Sequence, residues 1–164
     1  MKLLPSIIVS SSPFLVSLPF TLTDLNRFEQ DQPRALWQPP NYVFGIVWPF
    51  LYASLFMFNY LIFQNPSISN YIKSFVARDT LIESAFQGLW LYNFRFQENI
   101  KERTESYKKS LLFMLSLVFI SIYRCYIIFS TKELKPYSLL YLPYALWINF
   151  AHILNWQLAL GFTK

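Results

Sequence analysis

Three tryptophans, each with a small or amide residue at helical spacing, are the side chains of this sequence most able to do chemistry. Trp48 and Tyr52 are four residues apart and so share a helix face, with Gly45 one turn before them. Gln87 and Trp90 are three apart, and Trp147, Ala151 and Asn155 repeat at four-residue intervals with Phe150 alongside. Rings of this kind on three helices can line an apolar hollow with a few hydrogen-bonding groups, which suits a flat hydrophobic molecule. The simpler reading is that they are packing and interface-belt residues, and spacing alone leans towards it.

Other chemistry has little to stand on. Cys125 and His152 are each the single residue of their type, which rules out an internal disulfide and a His/Cys zinc set. No GxGxxG, P-loop, HExxH or GxSxG pattern occurs. No catalytic residue and no metal ligand is expected, and His152 reads as a packed or interface residue in preference to a haem ligand.

The elements that must position these rings are membrane spans. Apolar residues make up 54% of the 164-residue chain and charged residues only 14%, against about 25% charged in an ordinary soluble domain. Much of the surface must therefore face something other than water. A span needs about 20 mostly apolar residues. On that basis the chain reads as one all-α domain, a polytopic bundle of five transmembrane helices over residues 3–22, 42–63, 77–96, 110–130 and 137–162. The first is interrupted by Pro5, Pro13 and Pro19; a cleaved signal peptide is its rival, and the apolar run past Ser12 favours a retained helix. The second opens after Pro39-Pro40 and contains no charge. The third carries Asp79, Glu83 and Arg95, and the fourth carries Arg124.

The basic cluster Lys101, Arg103, Lys108 and Lys109 is interleaved with Glu102 and Glu105, which suits a solvated loop and not a nucleic-acid surface. With five spans, Lys2, Lys73, Arg78, Lys132 and Lys135 fall on one side. Arg27, Arg34, Lys101, Arg103, Lys108, Lys109 and Lys164 fall on the other, too narrow a margin to fix topology.

An ionised side chain at membrane depth costs about 2.5–3.5 kcal/mol even on a lenient scale, so Glu83 and Arg124 need an explanation. In an antiparallel hairpin of the third and fourth spans they lie level. Either they pair, or Arg124 snorkels to the nearer interface while Glu83 sits near Asp79.

Two segments carry a resemblance. Residues 37–52, WQPPNYVFGIVWPFLY, and residues 139–156, LLYLPYALWINFAHILNW, resemble the second-helix and fifth-helix signatures of the TspO/MBR family, the tryptophan-rich sensory proteins and translocator (peripheral benzodiazepine receptor) proteins. The resemblance implies a five-helix membrane receptor or transporter for a porphyrin, haem-type tetrapyrrole or similar planar ligand, with no cofactor required. It implies a ligand site of Tyr42, Gly45, Trp48, Tyr52, Gln87, Trp90, Trp147, Phe150, Ala151 and Asn155. Trp37, Pro39 and Pro40 would close it as a loop, and Gln87 and Asn155 would supply amide donors. Membrane lipid and a second copy of the chain are the partners it implies. The location it implies is the mitochondrial outer membrane or another endomembrane in a eukaryote, and the cell membrane in a bacterium.

The sequence departs from the family pattern at Ile46 and Tyr42, and at Leu91 and Tyr92 where prolines are usual. Trp156 stands where animal members carry the tyrosine of a cholesterol-recognition pattern. The alternatives to a receptor are photochemical porphyrin breakdown through Trp48 and Trp147, and a structural bundle whose pocket has degenerated.

Overall fold

The computed structural model describes residues 3–24, 34–94 and 100–163, with side chains described for 3–20, 34–94 and 102–163. Lys2, Arg27, Arg95 and Lys164, assigned above to one side of the membrane or to a span, lie outside the described residues. Five α-helices account for most of the rest: α1 (Leu3–Asp24), α2 (Asn41–Gln64), α3 (Asn70–Phe94), α4 (Ile100–Ser130) and α5 (Ser138–Leu160). A single 3₁₀ turn, Lys135–Tyr137, leads into α5.

Two boundaries differ from the sequence expectation, for one reason. α3 begins at Asn70 and not near 77, and α4 begins at Ile100 and not near 110. The α4 extension is densely charged, and the α3 extension mixes Asn70, Lys73 and Ser74 with Tyr71, Ile72, Phe75 and Val76, so neither is a continuous apolar run. Lys, Glu and Arg in the α4 extension are good helix formers, and a helix can continue past the apolar layer into water. Lys108 pairs with Glu105 at 2.9 Å along this extension, and the Ser69 hydroxyl accepts the Ile72 N–H at the start of α3.

At one in-helix proline a hydroxyl takes up the freed carbonyl. Pro13 deprives the Val9 carbonyl of its helical partner, and Ser12 Oγ donates to that carbonyl at 2.8 Å. Ser54 Oγ of α2 donates to the Leu140 carbonyl of α5 at 2.6 Å, tying the two helices together near Pro143. α5 ends at Gly161, whose φ of 78° is the left-handed value that glycine adopts without strain.

The helices close a ring in the order α1, α2, α5, α4, α3 and back to α1, with α2 and α3 touching only lightly across it. α1 packs along α3 so tightly that a Cβ on Gly88 would stand 2.5 Å from Val16 Cγ1. Its buried face is Ser6, Ser10, Pro13 and Ser17, small residues that let backbones approach.

α1, α2 and α4 are apolar enough to cross a membrane by length and composition. α3 and α5, of 25 and 23 residues, are also long enough, at about 1.5 Å per residue, but carry more polar groups. On α3 those groups point inward: Asp79, Thr80, Glu83, Ser84 and Gln87 are buried, while Leu81, Ile82, Leu89 and Tyr92 are exposed. α3 is thus polar inside and apolar outside, the reverse of a helix in a water-soluble protein.

Candidate functional site

The interior is arranged in tiers along the bundle axis. At one end lies a charged centre. Arg124 of α4 donates from Nη1 to Glu83 Oε2 at 2.6 Å, and from Nη2 to Asn59 Oδ1 at 3.0 Å and Thr80 Oγ1 at 2.8 Å. Its Nε stands 3.2 Å from Asp79 Oδ2. The Tyr141 hydroxyl donates to the other Glu83 oxygen at 2.7 Å. The guanidinium also lies over the rings of Tyr141 and Phe58, 4.8 and 5.2 Å from their centroids. Of the two sequence readings of Glu83 and Arg124, the structure has the pair, with Asp79 at its edge.

One turn further along lies a phenol and amide tier. Gln87 Nε2 donates to the Tyr52 hydroxyl at 2.6 Å, and the Tyr144 hydroxyl donates to Gln87 Oε1 at 3.3 Å. Glu83 and Gln87 are one turn apart on α3, as Tyr141 and Tyr144 are on α5, so the same two helix faces build both tiers.

Beyond it is the indole tier. Trp48 of α2 stacks on Tyr52 at 5.5 Å between centroids and lies 6.1 Å from Trp90 of α3 and 6.3 Å from Trp147 of α5. Phe150 and Phe44 flank Trp147 at 5.5 and 5.6 Å. Ala151 is buried in the same core. Trp90 Nε1 donates to Asn155 Oδ1 at 3.0 Å, Ser110 Oγ is also 3.0 Å from that oxygen, and Asn155 Nδ2 donates to the Tyr107 carbonyl at 3.2 Å. Trp147 Nε1, by contrast, is buried and has no hydrogen-bond partner among the described residues.

The loop before α2 closes this end. Ala35 is fully buried against Tyr107, Leu154, Leu158 and Ala159 and bridges to Thr163. The Trp37 backbone N–H donates to Gln157 Oε1 at 3.4 Å, and Arg34 donates to the Pro39 carbonyl at 3.2 Å.

Trp48, Tyr52, Gln87, Trp90, Trp147, Phe150, Ala151 and Asn155 are therefore brought together. Tyr42 and Gly45 are not: both are exposed, and a Cβ on Gly45 would meet nothing within 4 Å. The Trp37 ring is exposed, while Pro39 is half-buried and Pro40 exposed beside it. Both amides that the family resemblance makes ligand donors have internal partners here.

Sequence reasoning missed Phe44, Tyr107, Ser110, Tyr144 and Phe94, whose ring lies 5.6 Å from Trp90 and 5.2 Å from Tyr107. Phe44 and Phe94 were within reach, since each stands four residues from a tryptophan already singled out. Tyr107 and Ser110 were not, because the approach of α4 to α5 is a tertiary fact.

The family model of TspO/MBR proteins matches residues 12–160. The chain belongs to the TspO/MBR family. Membership covers the first helix from Ser12 onward and every tier of the interior, and it makes the bundle an integral membrane protein of sensory and transport type. No curated protein matches the chain. Within the described residues this TspO/MBR chain has no group of three His, Cys, Asp or Glu residues able to hold a metal ion.

Proposed function

We propose that this TspO/MBR protein is a membrane receptor or carrier for a flat hydrophobic molecule, a tetrapyrrole or similar, held at the indole tier. The observation that supports this most directly is the meeting of Trp48, Trp90 and Trp147 from three helices, with Trp147 Nε1 buried and without a partner among the described residues. Rings supply the apolar contact, and the spare indole N–H suits one acceptor oxygen or nitrogen on the ligand. In detergent, protoporphyrin should quench tryptophan fluorescence saturably, and Trp48→Ala combined with Trp147→Ala should weaken the response. An identical response from wild type and double variant would remove the proposal.

A second reading has its own support. Gln87 and Asn155 are satisfied internally, which fits a bundle whose hollow is closed by its own side chains. That reading expects no binding of porphyrin or isoquinoline-type ligands at micromolar concentration.

A further inference from the structure

The charged tier holds one guanidinium and two carboxyl groups, and the hydrogen bonds sort the two acids into different roles. Both oxygens of Glu83 accept bonds, one from Arg124 and one from Tyr141, so Glu83 is the ionised partner of Arg124. Asp79 Oδ2 lies within ion-pair distance of Arg124 Nε but accepts no hydrogen bond among the described residues. Asn59, bonded to the same guanidinium and fully buried, has an Nδ2 donor with no acceptor among the described residues. The centre therefore sets two carboxyls against one guanidinium, and its buried amide Asn59 has an unpaired donor among the described residues.

We propose that Asp79 is a proton-binding site within the membrane-spanning bundle. A net negative charge in an apolar interior is costly, whereas a proton on Asp79 cancels it and disturbs no bond of the Glu83–Arg124–Tyr141 set. The positive charges nearest Asp79 are Arg124, which it shares with Glu83, and on its own helix the neighbouring Arg78 and the buried Lys73, about two turns earlier. α4 brings Arg124 with Cys125 beside it, and α5 brings Tyr141, already bonded to Glu83. α2 brings the neutral Asn59, and residues 3–20 of α1 carry no ionisable side chain. On α3 itself, Arg78 is exposed and its guanidinium lies over the Phe75 ring at 5.5 Å. The Asp79 side chain is 11% exposed against 3% for Glu83 and 2% for Arg124, so it is the least enclosed member of the set. The proton comes from bulk water and returns to it, and no other bond changes. This inference rests on the charged tier alone and is independent of ligand binding at the indole tier.

Infrared difference spectra of the whole protein in nanodiscs, recorded across a pH step, test it. The expected result is a protonated-carboxyl C=O band that shifts in D2O and is lost in Asp79→Asn. No such band at any pH where the protein is folded, or a band that survives Asp79→Asn, overturns the proposal. A thermal readout runs in parallel. A proton held in the folded state stabilises it until rising pH removes that proton, so the wild-type melting temperature should fall as pH rises. Asp79→Asn, a neutral isostere, should be flatter, and parallel curves for the two proteins would also overturn the assignment.

Discussion

The charged tier and the indole tier sit in the same bundle, share α3 and α5, and are held by opposite means. Around Arg124 the contacts are directional, at 2.6–3.2 Å, and four side chains from three helices meet on one guanidinium and its glutamate. Around Trp48 the contacts are between ring faces and edges 5.5–6.3 Å apart, and only Trp90 among the three indoles donates a hydrogen bond to a described residue. Directional bonds in a low-dielectric interior leave little freedom to exchange a member, because the partner left behind is a buried unpaired group. Ring packing tolerates exchange if volume is kept. The charged tier is thus suited to fixing the bundle, and the indole tier to accommodating a guest.

Substitution at Arg124 should test this contrast most severely. Arg124→Gln should cost about 3–5 kcal/mol of stability in detergent, because Glu83 is left buried and unpaired. Arg124→Lys should not restore it, since one ammonium cannot reproduce contacts made from Nε, Nη1 and Nη2. A double-mutant cycle of Glu83→Gln with Arg124→Gln should give a coupling of about 0.5–3 kcal/mol, and a value near zero would abolish the distinction between the tiers.

Next in size is the seam beside both tiers. Gly88→Ala forces a methyl against Val16 and should cost about 1–3 kcal/mol, relieved by Val16→Ala. If Gly88→Ala is silent in thermal melts, α1 does not pack on α3 as closely as described.

Within the indole tier, Trp90→Phe keeps most of the ring and removes one hydrogen bond to Asn155, whose Oδ1 still has Ser110 beside it. A loss of about 1 kcal/mol is expected, and a loss as large as that of Arg124→Gln would show the ring tier to be as rigidly specified as the charged one. Smallest of all is Gly45→Ala. That position faces outward, so the change should stabilise the protein by about 0.4–1 kcal/mol while leaving porphyrin quenching unaltered. Reduced quenching would instead place Gly45 in the site.

The helices of this family member were legible wherever apolar residues ran uninterrupted, as in α2, where Pro39-Pro40 and Asn65-Pro66 mark both ends. They were least legible at the starts of α3 and α4, because hydropathy reports the solvent around a segment and not its backbone conformation. The ring-bearing faces of Trp48, Trp90 and Trp147 followed from spacing. Their convergence did not, since periodicity names a face without saying what it meets.

By itself, the amino-acid sequence determined that this chain must bury apolar helices in a membrane, which residues share each helix face, and that Glu83 and Arg124 lie level in a hairpin. These are consequences of composition and of a fixed helical repeat. Only the tertiary structure decided that Asn59, Thr80, Asp79 and Tyr141 complete the charged centre, that Gln87 and Asn155 bond to their own neighbours, and that Trp147 Nε1 finds no partner among the described residues. Such partners come from other helices, and which helices adjoin is settled by the packing of the whole ring.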